Sequence, residues 1–418
     1  MKYQALRGTR DIYLEEAEKI SRLETAAKKV LQCYGFREIR TPVFEETAVF
    51  TRSIGEATDI VEKEMYTFQD RKGRSLSLRP EGTAGVVRAL IEHNLLFQNP
   101  LLKLSYNGQM FRYERPQAGR YREFWQIGGE LFGDGSAYSD AEIISCCWEI
   151  FNKIGLKGAV IQVNNVGCPE CRQNYRQILV NHYTPLTTAI CEDCRRRLTL
   201  NPMRLLDCKV EGCQTIKKDA PKISAHLCPT CFTHWQLLKK ILKELQLPYQ
   251  VNPCLVRGLD YYTRTTFEVK YPKLGSQDAI AAGGRYDNLV KEMGGNSVPA
   301  TGFALGVERV IEALNLENIK LEQSKNVSVY FACLKEEFFI KCLSLVKDLR
   351  TLGIIVHHLY EIKSLKSHLR AADRLNADYA VLYGEEEQQI GAAIIRNLRT
   401  RTQAEIKPAE IISYFQKL

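Results

Sequence analysis

A polar loop flanked by two alternating segments is the feature that most constrains how this chain folds. Residues 101–112 and 124–132 carry apolar and aromatic side chains at roughly every second position. A period of two predicts β-strands with one face buried in a core. Residues 114–123 contain proline, glycine and arginines, which suit neither a helix nor a strand. The sequence therefore predicts a hairpin with a basic loop.

The two faces of the second predicted strand differ in chemistry. Gln126 and Glu130 share one face, and Trp125, Ile127 and Leu131 share the other. One face would enter the core while the other forms the floor of a site. A polyanion such as a nucleotide or an RNA end would meet the nearby guanidinium groups, which belong to Arg112, Arg115, Arg120 and Arg122. A solvated basic hairpin is the alternative, although carboxylates on the same face favour a site.

Bulk composition indicates a globular protein. The chain has 418 residues, of which 45% are hydrophobic, enough for two or three domains. Its net charge of +9 permits nucleic-acid binding without requiring it. The N-terminal segment has no apolar stretch of the kind found in secretory signals, and no apolar run approaches the length of a membrane span. We therefore expect a cytoplasmic protein that does not enter a membrane.

Fourteen cysteines without a secretory signal favour reduced thiols or a metal site over disulfides. Eight of them crowd into one segment, as Cys168, Cys171, Cys191, Cys194, Cys208, Cys213, Cys228 and Cys231. Paired cysteines at such spacings suit tetrahedral zinc, and eight would suffice for two structural Zn²⁺ sites. The alternative is a module whose thiols pack without a metal.

Three domains follow from the order of the predicted elements. Residues 1–163 and 247–320 are rich in hairpins, which predicts a discontinuous α+β domain with an antiparallel sheet. Residues 164–246 read as a helical, cysteine-rich insertion. In residues 326–418 strands alternate with helices, which predicts a small α/β domain with a mostly parallel sheet.

The common nucleotide-binding signatures are absent from the sequence, including the phosphate loop GxxxxGK[ST] and the motif GxGxxG. Arg112, Arg257 and Arg309 lie on or near predicted strands and are candidates to clamp phosphates instead. Glu81 and Thr83 stand at a predicted helix start, where they could hold an ammonium group or simply cap the helix.

These residues resemble a known family. Arg112 and Glu114 in FRYE, Arg309 in GFALGVER and Pro42 look like motifs 2, 3 and 1 of class II aminoacyl-tRNA synthetases. The segments LVRGLDYYTRTTFEV and AAGGRYDNLV are similar to the two histidine-specific peptides of the histidyl-tRNA synthetase family. The resemblance runs from the N-terminus through the C-terminal α/β unit, and its long, nearly gapless peptides make it specific.

The resemblance implies a histidine site. In it the α-ammonium is held by Glu81, Thr83 and Gln126, and the imidazole is bound by Glu130 and Tyr262. A neutral imidazole needs one donor and one acceptor, which agrees with these residue types. Arg257 would contact the histidine carboxylate and the α-phosphate, and the remaining histidine-binding positions are Gly82 and Tyr261.

The resemblance also implies an ATP site and a contact with the tRNA acceptor end. The residues implied for ATP, bound with Mg²⁺, are Arg112 at the α-phosphate, Glu114 and Phe124 at adenine, Arg309 at the γ-phosphate, and Arg120 and Tyr121. Arg112 and Arg257 would be the catalytic residues. Arg115 and Gln117 would reach the acceptor end of tRNA.

The implied protein has a class II synthetase catalytic fold, an insertion near the acceptor stem and a C-terminal anticodon-binding domain. It would be a homodimer that activates L-histidine with ATP and transfers histidine to the 3′ end of tRNA(His). Neither step needs a strong protein base. One alternative is a catalytically inactive, synthetase-like regulatory subunit of ATP phosphoribosyltransferase. A second is a non-catalytic zinc-ribbon protein that binds nucleic acid.

Overall fold

A computed structural model describes residues 3–55, 58–116, 119–275, 277–321 and 327–417. The chain divides into two compact units, Met1–Leu321 and Glu322–Leu418. Among the described residues, no helix is both long and apolar enough to cross a membrane.

Helices and strands alternate irregularly along the described residues. The α-helices are α1 Leu14–Cys33, α2 Thr47–Ile54, α3 Thr83–Glu92, α4 Ala137–Lys153, α5 Pro169–Tyr183, α6 Glu192–Leu200, α7 Glu211–Lys217, α8 Pro229–Glu244, α9 Leu289–Glu292, α10 Val307–Leu316, α11 Phe339–Thr351, α12 Leu365–Arg374, α13 Glu385–Gln389 and α14 Ile411–Gln416. The strands are β1 Arg37–Glu38, β2 Phe44–Glu46, β3 Thr67–Gln69, β4 Ser75–Leu78, β5 Leu102–Phe111, β6 Glu123–Phe132, β7 Val160–Asn165, β8 Tyr249–Val251, β9 Thr263–Lys270, β10 Ala279–Arg285, β11 Ala300–Gly306, β12 Ser328–Cys333, β13 Ile355–His357, β14 Tyr379–Tyr383, β15 Ala393–Asn397 and β16 Gln403–Ile406.

The first unit is built on an eight-stranded sheet in the order β1-β5-β6-β11-β10-β9-β7-β8. Only the outermost pairs, β1 with β5 and β7 with β8, are parallel, and the five inner pairings are antiparallel. The predicted antiparallel sheet is therefore confirmed. The first unit also contains a separate three-stranded antiparallel sheet in the order β2-β4-β3.

The predicted hairpin is the pair β5 and β6, and its two faces divide as their alternation predicts. Ile127 and Leu131 of β6 enter a core with apolar residues of α1 and α4. Gln126 and Glu130, on the opposite face, line a cavity. Helices cover one face of the sheet, and the other face is left for a site.

The cysteine-rich segment is helical, as predicted. It contains α5, α6, α7 and α8, together with short 3₁₀ turns such as Pro202–Asp207. Its cysteines and tyrosines share a core with residues of β5 and α3.

The second unit holds a five-stranded sheet in the order β13-β12-β14-β15-β16. Two of its pairings are parallel and two antiparallel, so the sheet is mixed, and the prediction of a mostly parallel sheet needs correction. The difference comes from β16, which the sequence analysis missed. The strand is only four residues long and none of its side chains is buried, so its apolar signal is weak.

A buried ion pair joins the sheet to α4. The guanidinium of Arg285, at the end of β10, is fully buried and lies 2.7 Å from Asp140 Oδ1. It also donates hydrogen bonds to the carbonyl oxygens of Asp134 and Ser136, each at 2.9 Å. Nε2 of His234 in α8 lies 3.3 Å from the other oxygen of Asp140, so the pair also reaches the insertion.

We expect Asp140→Ala to lower the free energy of unfolding of the first unit by about 3–5 kcal/mol, because it removes one of the two carboxylates that compensate a fully buried guanidinium and leaves only Asp287, at 2.9 Å. Urea unfolding followed by tryptophan fluorescence measures this, since Trp125, Trp148 and Trp235 all belong to the first unit. Asp11→Ala, which changes an exposed carboxylate, is the matched control. Equal losses in the two variants would contradict the role of the ion pair.

Candidate functional site

A cavity of about 590 Å³ lies on the face of the main sheet that the helices leave open. Most of the residues predicted from the sequence line it together: Glu81, Thr83, Arg112, Glu114, Arg120, Tyr121, Phe124, Gln126, Glu130, Arg257, Tyr261, Tyr262 and Arg309. They come from β6, from the start of α3 and α10, and from the loops before β6 and β9. Residues far apart in the chain thus converge on one site.

Glu130 forms the floor of the cavity and is 1% exposed. The Thr83 hydroxyl donates to its Oε1 at 2.6 Å, and the Tyr286 hydroxyl donates to its Oε2. Burial raises the pKa of this carboxyl to about 8, although the two hydroxyl donors oppose the shift. Burial thus favours the protonated form of this carboxyl.

Glu81 combines two roles that the sequence left as alternatives. Its carboxylate accepts backbone N–H groups of Thr83 and Ala84 at 2.8 and 2.7 Å, so it does cap α3. The same carboxylate also lines the cavity. Nearby, Oε1 of Gln126 is buried and accepts no hydrogen bond from the described residues. An orphaned buried acceptor beside a carboxylate suits an ammonium group.

Glycines keep this floor open. A Cβ on Gly302, opposite Glu130 on β11, would lie 1.7 Å from Glu130 Oε2. A Cβ on Gly82 would lie 2.3 Å from the ring of Tyr106. Gly82 thus leaves room for the Tyr106 ring, which lines the cavity, and its predicted contact with histidine stays a prediction.

The opposite end of the floor is aromatic and cationic. The rings of Tyr261 and Tyr262 lie 4.7 Å apart, and Tyr261 contacts Tyr286 at 5.6 Å. The Arg257 guanidinium lies 5.8 Å from the Tyr262 ring and donates to Glu268. This places a cation beside a slot whose walls are aromatic and whose base is Glu130.

Arginines and a phenyl ring form a second region of the same cavity. Arg112 donates to the Pro80 carbonyl oxygen at 2.9 Å and lies 5.4 Å from the Phe124 ring. Glu114 forms an ion pair with Arg120 at 2.7 Å. Arg309, at the start of α10, donates to the Ala279 carbonyl oxygen at 3.0 Å. Three guanidinium groups in one cavity suit a polyphosphate.

Of the two residues predicted to face tRNA, only Arg115 is described, and it does not line the cavity. Arg115 is exposed. Gln117 lies outside the described residues. Arg122, one of the arginines first considered for a polyanion, stacks at 3.9 Å on Tyr113 and donates to the Arg7 carbonyl oxygen, so it tethers the N-terminal segment.

The sequence analysis missed several cavity residues. Tyr286 belongs to the peptide AAGGRYDNLV, whose match to a histidine-specific peptide was the available signal. Glu268 is the ion-pair partner of Arg257. Arg204, from the insertion, also lines the cavity, and no sequence pattern linked it to β6.

The eight clustered cysteines separate into two groups. Cys168, Cys171, Cys228 and Cys231 form the proximal cysteine group, in which the sulfur atoms lie within 4.8 Å of one another. The distal cysteine group meets the same limit and contains Cys191, Cys194, Cys208 and Cys213. All eight are free thiols. Each group offers four sulfur ligands and could hold a metal ion.

Comparisons with known proteins agree with this geometry. A family model described as "Histidyl-tRNA synthetase" matches residues 8–171 and 196–310, and one described as "Anticodon binding domain" matches residues 328–418. A histidine–tRNA ligase of Halothermothrix orenii is 46% identical over 418 residues, covering all of both chains. One of Aquifex aeolicus is 46% identical over 411 residues, covering 98% of this chain and all of the relative.

A solved structure extends the likeness to three dimensions. The crystal structure of apo S. aureus histidyl-tRNA synthetase is 34% identical and covers 99% of this chain and 100% of its own, with a TM-score of 0.83. The family resemblance predicted from the sequence is confirmed by these matches, and so is the C-terminal anticodon-binding domain. The chain therefore belongs to the histidyl-tRNA synthetase family of class II aminoacyl-tRNA synthetases.

Proposed function

We propose that the protein is a histidine–tRNA ligase, which activates L-histidine with ATP and transfers histidine to the 3′ end of tRNA(His). The observation that carries this proposal is the buried Glu130, which accepts hydrogen bonds from Thr83 and Tyr286. The same cavity contains the guanidinium groups that suit a polyphosphate, those of Arg112, Arg120 and Arg309. The curated relatives that bear this ligase name span nearly the whole chain.

The family resemblance implies the roles in the histidine site, and the hydrogen-bonding groups of the cavity support them. The α-ammonium group would be held by Glu81, Thr83 and the unsatisfied oxygen of Gln126. The imidazole would donate one N–H to Glu130, and Tyr262 would serve the second ring nitrogen. Arg257 would hold the carboxylate, and this position leaves the carboxylate facing the arginine-rich part of the cavity.

The activation step then requires that the reacting groups are held in position and that phosphate charge is neutralised. Attack of the histidine carboxylate on the α-phosphorus forms histidyl-adenylate and releases pyrophosphate, so no proton has to be removed. Arg112 and Arg257 would neutralise the α-phosphate charge as it increases, and Arg309 would hold the γ-phosphate. Phe124 would stack on adenine, with Glu114, Arg120 and Tyr121 beside it.

The family implies ATP with Mg²⁺, and the cavity contains oxygen ligands that fit this ion. The carboxylates of Glu268 and Asp278 both line the cavity and lie 3.7 and 3.3 Å from Lys270. Bound there, Mg²⁺ would neutralise phosphate charge.

The transfer step involves parts of the chain outside the cavity. Arg115 and Gln117 would contact the tRNA acceptor end, and the anticodon-binding domain supports recognition of tRNA(His). We further propose a cytoplasmic homodimer, as the family resemblance implies. The alternative of an inactive regulatory subunit of ATP phosphoribosyltransferase is disfavoured for two reasons. The residues proposed to bind the histidine side chain and the phosphates line one cavity, and the relatives are named as ligases.

The first test is histidine-dependent exchange of pyrophosphate into ATP. We expect exchange with wild-type protein. In Arg257→Ala and Glu130→Ala the exchange rate should fall at least about a hundredfold, because each substitution removes a contact to the substrate and leaves a buried polar partner without its hydrogen bond. Arg115→Ala, an exposed arginine outside the cavity, should retain exchange. Exchange that is absent, or equal with other amino acids, would reject the proposal.

A second test concerns the protonation of Glu130. Since its pKa is about 8, Glu130 is mostly protonated at pH 7.5, where free imidazole is mostly neutral. An ammonium cation and an imidazole N–H donor both favour the carboxylate, so histidine binding should release a proton. Calorimetric titration in two buffers of different ionisation enthalpy measures it. We expect release of a large fraction of a proton in wild-type protein at pH 7.5, and this fraction should fall as the pH rises through about 8, because Glu130 is then already ionised before histidine binds.

The control is Glu130→Gln, which keeps the shape of the side chain and cannot titrate. Histidine should bind more weakly to this variant, with little proton release. Equal release in both proteins would assign the proton to another group and contradict the role of Glu130.

We also propose that each cysteine group binds one structural Zn²⁺, giving two ions per chain. Elemental analysis of purified protein should find about two zinc ions, and Cys171→Ser should remove about one. Cys33→Ser, which changes an exposed cysteine outside both groups, should remove none. Protein that is folded and free of zinc would contradict this proposal.

A further inference from the structure

We infer that the zinc ion of the distal cysteine group holds Arg204 in the wall of the catalytic cavity, where its guanidinium binds a phosphate of a substrate. The inference rests on the proposed ligase function. It gives the cysteine-rich insertion a part in the active site, and it adds a phosphate-binding residue to those that the family motifs supply.

The sulfur positions of the distal cysteine group fit a single ion. Sγ of Cys191 and Sγ of Cys208 lie 3.9 Å apart. A tetrahedral ion with zinc–sulfur bonds of about 2.3 Å requires an edge of about 3.8 Å, whereas a disulfide requires about 2.05 Å. The backbone N–H of Cys191 also donates to Sγ of Cys213 at 3.2 Å, a contact that stabilises a thiolate ligand.

The segment around this group consists of short elements whose apolar residues pack into the core shared with β5 and α3 and form no core of their own. Its helices are short, with nine residues in α6, six in the 3₁₀ turn Pro202–Asp207 and seven in α7. None of them belongs to a sheet, and a stretch of this size buries too little apolar surface for independent stability. A metal ion bound by the distal cysteine group would fix α6, the turn and α7 to one another.

Arg204 lies on that turn, between the ligands Cys194 and Cys208. It lines the cavity, and its Nη1 lies 3.4 Å from the point where a Cβ on Gly258 would be. Gly258 follows Arg257, which we propose to hold the reacting carboxylate. The distal cysteine group thus fixes a guanidinium close to the proposed reaction centre.

The partners of Arg204 leave it able to bind an oxyanion. Its Nη2 lies 3.5 Å from Asp59 and 3.9 Å from Asp207, both long for ion pairs. Its Nε is buried and has no hydrogen-bond partner among the described residues, and the side chain is 15% exposed. A guanidinium that lines a cavity, with long ion pairs and an Nε–H that has no partner among the described residues, suits a phosphate, which accepts two parallel N–H groups.

Two substrates carry such a phosphate, ATP and the 3′ end of tRNA, and two assays separate them. Arg204→Ala should raise KM roughly tenfold or more, either for ATP in pyrophosphate exchange without tRNA or for tRNA in aminoacylation alone. It should leave the KM for histidine and the zinc content unchanged. Arg195→Ala, an exposed arginine of α6, is the control and should change neither KM.

The metal is tested through its ligands. Cys208→Ser should lose one zinc ion and show the same rise in KM as Arg204→Ala. Cys208→His, which restores a zinc ligand, should recover both zinc and KM. The inference is overturned if Arg204→Ala changes neither KM, or if Cys208→Ser loses zinc without a change in KM. Failure of the ligase proposal would look different, as absent exchange in the wild-type protein.

Discussion

The buried ion pair between Arg285 and Asp140 supports both the fold and the site. Isolated burial of a guanidinium is very unfavourable, so its position is fixed by the groups that accept its N–H donors. These are the carboxylates of Asp140 and Asp287, the Ser139 hydroxyl and the carbonyl oxygens of Asp134 and Ser136. The next residue in the chain is Tyr286, whose hydroxyl donates to Glu130. The buried Arg285 side chain is fixed on one side of the chain, and this holds the neighbouring Tyr286 with its hydroxyl toward Glu130 on the other side. The Glu130 carboxyl therefore receives one of its two hydroxyl hydrogen bonds because of the ion pair.

Ion pairing also compensates the charged side chains that line the cavity. Arg257 is paired with Glu268, and Arg120 with Glu114. In these pairs each guanidinium group has a carboxylate partner. The carboxylates of Glu268 and Glu114 can also accept hydrogen bonds from a cation or a nucleobase. Substrates therefore exchange one set of charge-assisted hydrogen bonds for another, which lowers the free-energy cost of preparing the site.

The sequence predicted those features that depend on local periodicity or on a specific motif. The faces of β6 followed from its alternation, and the helix start at Thr83 from its polar residues. The mixed character of the second sheet was missed, because the short strand β16 carries no strong apolar signal. The division of eight cysteines into two groups and the approach of Arg204 to Gly258 depend on how the insertion folds back on the catalytic sheet. Spacing along the chain does not contain that information.

In the proposed function, selectivity for histidine rests on the burial of Glu130. A side chain that fills the slot without a hydrogen-bond donor leaves a buried carboxyl facing an apolar group, and sites built on such polar contacts reject analogues by large factors. Gly302 makes the arrangement possible, since any Cβ there would overlap the carboxyl. The raised pKa of Glu130 adds a further condition, because a neutral carboxyl becomes a strong acceptor only when a ligand supplies the compensating positive charge and N–H group. Every amino acid supplies the ammonium charge, so in the proposed function the imidazole N–H at Glu130 is what distinguishes histidine from the other substrates.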